Sequence, residues 1–180
     1  MRNKVCTVLS VFLISMLTAS LAVARDLDFE LNGREISPGT TTKNCQVGTY
    51  TTTDITFAGF VTGDGRGTWI ISLDAEGKLD ANCEPVRCAT NSPVLVTGGT
   101  WILKLLLGTA SGPITGGSLA FRPDSLPDGQ CLGPVQGDLS LEVDLALGRL
   151  WWVRSATMTN ILLDHNFLVP RVGAELELTD

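Results

Sequence analysis

Residues 138–145, Asp-Leu-Ser-Leu-Glu-Val-Asp-Leu, alternate a polar with an apolar side chain at every step. Successive side chains of a β-strand point to opposite faces, so this period of two predicts a strand with one buried and one solvated face. The same alternation occurs at residues 27–31 and 172–179. Because the strands of a parallel sheet are buried on both faces, half-solvated strands favour an antiparallel sheet.

Other segments are predicted as strands because Thr, Val, Ile and aromatic residues concentrate in them between turn-forming glycines and prolines. They are residues 49–61, 68–73, 94–96, 100–107, 118–122 and 150–157. Residues 63–67 and 74–78 are predicted as turns, and residues 160–168 as a short helix. About nine short strands at near-regular spacing predict one all-β domain, either an antiparallel β-sandwich or an up-and-down β-barrel.

The N-terminus has the features of an export signal. Two basic residues, Arg2 and Lys4, precede an apolar run that ends in Ala22-Val23-Ala24. A basic start, an apolar middle and small residues at positions −3 and −1 are what a signal peptidase recognises. We therefore expect residues 1–24 to be a cleaved signal peptide and residues 25–180 to form a single secreted or periplasmic domain. The alternative is an uncleaved membrane anchor, since the apolar run is long enough to span a bilayer.

The charge of the mature chain narrows the class of partner. Cleavage would remove two of 13 basic residues and none of 19 acidic ones, which leaves 11 against 19 and a formal net charge of −8. Such a surface repels nucleic acid and anionic lipid, so we exclude nucleic acid as a partner. The best further apolar stretch, residues 101–107, is too short for a membrane span and contains Lys104.

The mature chain contains four cysteines, Cys45, Cys83, Cys88 and Cys131. An even number in an exported protein predicts two disulfides, for which three pairings are possible. The short segment around Pro85 favours a Cys83–Cys88 pair, which leaves Cys45–Cys131. A thiolate metal site that included His165 would not have the spacing of a zinc knuckle. We expect no metal and no cofactor.

Catalytic signatures are weak in this sequence. His165 is the single histidine, and no serine lies in a Gly-x-Ser-x-Gly elbow, so a Ser-His-Asp hydrolase is not indicated. Acidic residues instead occupy the solvated side of the alternating strands. These are Asp28, Glu30, Asp138, Glu142, Asp144, Glu175 and Glu177. On neighbouring strands such carboxylates would lie about 5 Å apart and repel one another. A basic partner or a cation would relieve this, although no calcium-loop motif is present; a carboxylate pair could also hydrolyse glycosides.

The tryptophans give the strongest indication of a binding site. Trp151 and Trp152 are adjacent, so on a strand they would point to opposite faces and one would be exposed. An exposed Trp is a platform for stacking a sugar or an apolar ligand, and Arg149 and Arg154 flank the pair. Trp69 and Trp101 are predicted core residues.

Three functions remain open, in order of preference. The first is a non-enzymatic domain that binds a small apolar or glycan ligand through Trp151, Trp152, Arg149 and Arg154. The second is a structural or protein-interaction module of the cell envelope, without a small-molecule site. The third is a carboxylate-dependent hydrolase that uses Glu142, Glu175 and Glu177.

Overall fold

A computed structural model describes residues 26–86, 93–106, 108–121, 135–164 and 170–180. These ranges contain nine β-strands and no helix. The strands are β1 (Leu27–Asn44), β2 (Thr49–Gly63), β3 (Gly67–Lys78), β4 (Val94–Leu105), β5 (Gly108–Phe121), β6 (Val135–Glu142), β7 (Leu145–Gly148), β8 (Ser155–Asp164) and β9 (Arg171–Thr179).

The strands form a closed antiparallel barrel. Neighbours along the chain pair with one another from β1 to β6, β6 pairs with β8, β8 with β9, and β9 returns to β1. Eight strands thus complete the ring, and β7 is an extra strand paired with β5. Of the two predicted architectures, the observed one is the up-and-down barrel.

Two residues outside any strand, 143–144, separate β6 from β7. We call this interruption of the strand the break. Ile114 of β5 pairs with Leu141 of β6, whereas Ser111 of β5 already pairs with Leu145 of β7. The break interrupts the alternation that the sequence shows over residues 138–145, so Leu145 points outward and exposes 44 % of its surface. The predicted burial of this last apolar position is therefore wrong.

Apolar side chains fill the barrel interior. Trp69 and Trp101, both predicted core residues, are each 2 % exposed, and Leu103 is fully buried. The void that remains at the centre measures only about 20 Å³. An eight-stranded barrel is just wide enough for side chains to fill it, and the two indoles are among the buried side chains that do so here.

The barrel has two ends that differ in chemistry. We call one the Trp end; it carries the turn at residues 64–66, Leu106 and the connection at residues 149–154. We call the other the disulfide end; it carries the turn at residues 45–48 and the start of the β3–β4 connection at residues 79–86. Strand directions alternate around an antiparallel meander, so successive connections lie at opposite ends.

One disulfide, Cys45–Cys83, lies at the disulfide end with a Cα–Cα distance of 5.2 Å. The predicted Cys83–Cys88 pair is therefore wrong, and so is its consequence, Cys45–Cys131. The reason is local: a salt bridge of 2.9 Å from Lys43 to Glu84 and the 80–84 turn bring the two described cysteines together. Cys88 and Cys131 lie outside the described residues.

Three local predictions need correction. Residues 74–78 are not a turn but part of β3, since they pair with both neighbouring strands. The segments 94–96 and 100–107 belong to one strand, β4, which has an irregularity between them and ends at Leu105. Residues 160–164 are strand and not helix, while the remainder of the predicted helix, residues 165–168, lies outside the described residues. The turn predicted at residues 63–67 is confirmed.

Candidate functional site

The connection between β7 and β8, residues 149–154, folds over the Trp end of the barrel. Gly148 has a φ of 66°, which allows the chain to turn directly after β7. Backbone hydrogen bonds then run from Trp151 N to Gly148 O at 3.4 Å and from Val153 N to Leu150 O at 2.9 Å. Leu150 and Val153 are buried, so they close this end of the barrel with apolar side chains.

This turn places the two tryptophans in different environments. Trp151 exposes 68 % of its surface, whereas Trp152 is half-buried against the core. The sequence predicted such a contrast from a strand over residues 150–157. However, residues 150–154 lie outside any strand and β8 begins only at Ser155. That strand prediction is wrong over its first part, and the turn, not strand alternation, separates the indoles.

The two flanking arginines have different roles. Arg154 donates from Nη1 to the carbonyl oxygens of Trp151 at 3.0 Å and Val153 at 3.1 Å. Its backbone N–H also donates to Thr179 O at 2.9 Å, which ties the turn to β9. Arg154 therefore stabilises the shape of the connection, while the exposed side chain of Arg149 remains available to solvent.

An open depression of about 620 Å³ lies at the Trp end, and both tryptophans line it. Its apolar lining includes Leu27, Leu105 and Leu106, the last of which is 91 % exposed. Three of the four predicted site residues, Arg149, Trp151 and Trp152, line the depression; Arg154 does not.

Sequence reasoning missed the half of this site that lies far away in the chain. Leu27 comes from the start of β1, Leu105 from the end of β4 and Leu106 from the turn that follows it. Asp64 and Arg66 come from the β2–β3 turn. The turn at residues 63–67 was recognised from its glycines, but only the meander topology shows that it shares an end with residues 149–154.

Positive charge dominates the polar side of the depression. Arg66 and Arg149 both line it, and neither forms a salt bridge in the described part of the chain. The neighbouring carboxylate of Asp64 is already engaged, since its Oδ2 accepts from Asp28 N at 2.9 Å. The depression therefore offers an aromatic surface together with two guanidinium groups that can donate hydrogen bonds.

The predicted repulsive carboxylate pairs are present on the outer face of the barrel. Asp28 is the direct cross-strand partner of Glu177, and Glu30 is the partner of Glu175. All four side chains are exposed. Asn160 Nδ2 donates to Glu175 Oε2 at 2.7 Å, and among the described residues we find no other side-chain hydrogen bond to these four carboxylates.

The described residues form no cluster of three or more His, Cys, Asp or Glu side chains that could hold a metal ion. Glu142, the third acidic residue of the hydrolase hypothesis, lies on β6, and β8 separates it from Glu175 and Glu177 on β9. His165 lies outside the described residues.

Comparisons with known proteins identify no relative. No protein-family model matches this chain, and neither the curated proteins nor the solved structures contain a match. In the part of the chain that the structure describes, we find no helix with the length and hydropathy that a membrane span requires.

Proposed function

We propose that this chain is an exported, non-enzymatic β-barrel that binds a small apolar or glycan ligand in the depression at the Trp end. The observation that carries the proposal is Trp151, a large aromatic side chain left 68 % exposed beside a depression of about 620 Å³. Sites for small molecules are concave, mainly apolar and supplied with a few polar groups, which describes this lining.

The indole N–H groups support the same conclusion. Trp69 and Trp101 donate to backbone carbonyls inside the barrel. No hydrogen bond from the indole of Trp151 or Trp152 to another described residue is found. A ligand could stack on Trp151 and accept hydrogen bonds from these indoles and from the guanidinium groups of Arg66 and Arg149. Sugar hydroxyls and anionic oxygens are suitable acceptors.

The proposal can be tested with two probes, 1-anilinonaphthalene-8-sulfonate for an apolar ligand with an anionic group and cellotetraose for a glycan. We expect at least one of them to bind saturably in calorimetry or NMR titrations. Trp151→Ala should weaken that binding at least about fivefold, since stacking on an aromatic surface and excluding it from water contribute on the order of 1–3 kcal/mol.

Phe60→Ala is the matched control for this experiment. Phe60 is an aromatic residue on β2 with 73 % exposure, and it does not line the depression. Its replacement should leave the affinity unchanged. The proposal fails if a folded variant with both Trp151 and Trp152 replaced by Ala retains every affinity that the parent protein shows.

Export has a separate test. The protein should be purified from its own compartment and its mass measured under denaturing conditions. We expect the mass of a chain that begins at Arg25, reduced by four hydrogens relative to the same chain with free thiols. The loss of four hydrogens corresponds to two disulfides. A mass that includes residues 1–24 would contradict signal cleavage. A native mass excess that disappears on denaturation would report a retained ligand.

A protein-interaction module of the cell envelope remains the second candidate. It is favoured by the opposed pairs Asp28–Glu177 and Glu30–Glu175, whose repulsion a basic partner would relieve. A lysine-rich peptide should then bind at low salt. Its affinity should be lower for a Glu175→Gln, Glu177→Gln double variant. No observation favours the hydrolase over these two functions.

A further inference from the structure

A second cavity lies at the disulfide end of the barrel, opposite the Trp-end depression. Its volume is about 270 Å³, the space of about nine water molecules at roughly 30 Å³ each. The floor is apolar and includes Phe57, Leu73, Leu119 and Leu163, all of which also line the small central void. The cavity is therefore continuous with the barrel interior at this end.

Polar side chains also line this cavity. They are Glu35, Thr41, Tyr50 and Thr52. Thr52 is 7 % exposed and is the one buried polar residue among those that the structure describes. Its hydroxyl lies 2.9 Å from the hydroxyl of Thr41. Such a pair uses one hydroxyl hydrogen, so the other remains free to donate.

A β-bulge explains why polar and apolar residues of β2 share this interior face. The pairing register between β2 and β3 shifts between Thr52 and Ile55, and Asp54 has a φ of 60°. The Asp54 N–H donates to Asp74 Oδ1 at 3.1 Å, which supports the bulge. A bulge inserts a residue and reverses the alternation. Thr52 and Ile55, three positions apart, consequently both line the cavity.

Tyr50 supplies an unused hydroxyl in this cavity. The side chain is half-buried, and a Cβ placed on its cross-strand partner Gly77 would lie 2.4 Å from Tyr50 Cζ, so the ring rests on the glycine. No hydrogen bond from the Tyr50 hydroxyl to any described residue is found. Burial also raises the pKa of Tyr50, which keeps the hydroxyl protonated and able to donate.

We propose that this cavity binds a small, uncharged, mainly apolar molecule with a single hydroxyl group, such as a substituted phenol or a medium-chain alcohol. The hydrocarbon part would contact the floor at Phe57, Leu73 and Leu163. The hydroxyl would lie among Tyr50, Thr41 and Thr52. The Glu35 carboxylate in the same lining disfavours an anionic ligand. This site is independent of the proposed function, because it lies at the other end of the barrel.

The chain contains one tyrosine, which makes the site directly observable. Protein labelled with ¹³C-tyrosine should give a single tyrosine spin system in NMR. The probes are 4-ethylphenol and ethylbenzene, which share a hydrocarbon part and differ in the hydroxyl group. We expect both to shift the Tyr50 resonances saturably, with 4-ethylphenol binding about fivefold more tightly because it adds one hydrogen bond.

Two variants and one control decide the outcome. Val94 lines the cavity at the half-buried start of β4. Val94→Trp should fill the space and weaken the binding of 4-ethylphenol at least tenfold. Tyr50→Phe, which removes only the hydroxyl, should reduce the preference for 4-ethylphenol over ethylbenzene in calorimetry. Trp151→Ala at the opposite end should leave both affinities unchanged.

The proposal is overturned if neither probe shifts the Tyr50 resonances saturably, or if folded Val94→Trp binds 4-ethylphenol as tightly as the parent protein. It is equally overturned if the parent protein shows no preference for 4-ethylphenol over ethylbenzene, or if Tyr50→Phe leaves that preference unchanged. Loss of binding in Trp151→Ala would place the probes at the Trp end instead.

Discussion

At the scale of single residues, the buried tryptophans depend on close backbone approach. Trp69 Nε1 donates to Phe60 O at 3.1 Å, which keeps its buried polar atom bonded. The indole also lies directly over Gly33 of β1: a Cβ at that position would be 2.6 Å from Trp69 Cζ2 and 2.5 Å from Ala58 O. Only a residue without a side chain leaves room for this arrangement.

We therefore predict that Gly33→Ala destabilises the barrel by about 1–3 kcal/mol, the usual effect of overpacking a filled core. The free energy of unfolding in urea is the measurement. Gly98→Ala is the control, because a Cβ there would meet only Asp74 Oδ2 at 3.8 Å. The control should be neutral or slightly stabilising. Equal destabilisation by both changes would contradict the proposed contact with Trp69.

Tyr50 gives a prediction about high pH. Burial raises its pKa above the ordinary value of 10.0, so the folded state disfavours the tyrosinate more than the unfolded state does. Tyr50 should not affect the pH dependence of stability below about pH 10, and it should lower the free energy of unfolding as pH rises through its folded pKa. We expect wild-type protein to lose stability there relative to Tyr50→Phe. The measurement is the free energy of unfolding of both proteins from pH 9 to pH 12. A constant difference between them over this range would refute the prediction.

At the scale of elements, the β1–β9 ladder carries an electrostatic cost. Asp28 faces Glu177 and Glu30 faces Glu175 on one exposed surface. Like charges directly opposite one another across an antiparallel ladder destabilise it, whereas opposite charges contribute roughly 0.2–1 kcal/mol. The pairing of β1 with β9 closes the barrel, so this repulsion destabilises the strand pair that completes the ring.

Glu177→Lys should consequently raise the free energy of unfolding by about 0.2–1 kcal/mol, with a smaller gain in high salt because exposed charges are screened. Glu142→Lys makes the same change of net charge on β6, where the cross-strand partner is Ser155. A gain of the same size in both variants would show that net charge, and not the cross-strand pair, is responsible.

The elements that the sequence predicted correctly are those whose environment is set locally. β9 alternates buried and solvated residues without interruption, and its faces are as predicted. Errors occurred where a distant partner decides the structure. Leu145 points outward because β7 follows a break, and residues 74–78 stay in β3 because both neighbouring strands pair with them. The Trp-end depression combines the start of β1, the β2–β3 and β4–β5 turns and the connection after β7. Alternation within single strands does not encode this arrangement.

At the scale of the whole molecule, the disulfide secures the end of the barrel where the chain connections are long. Cys45 follows β1 and Cys83 follows β3, and their bond closes a sequence separation of 38 residues. The turn that carries Cys83 is organised by Asp80, whose Oδ1 accepts from Asn82 N at 2.8 Å and Glu84 N at 2.9 Å. These backbone hydrogen bonds lower the pKa of Asp80.

Replacing both Cys45 and Cys83 by Ser should lower the free energy of unfolding by about 2–4 kcal/mol, because the unfolded chain regains the freedom that the closed loop removes. Chemical unfolding of the oxidised protein and of the double variant is the measurement. Reduction of the parent protein should cost at least as much, since it also opens any bond between the remaining cysteines, Cys88 and Cys131. Peptide mapping of the oxidised protein decides whether those two are paired. If the double Ser variant unfolds at the same denaturant concentration as the oxidised parent, then the pairing of β2 with β1 and β3, and not the Cys45–Cys83 bond, holds the disulfide end together.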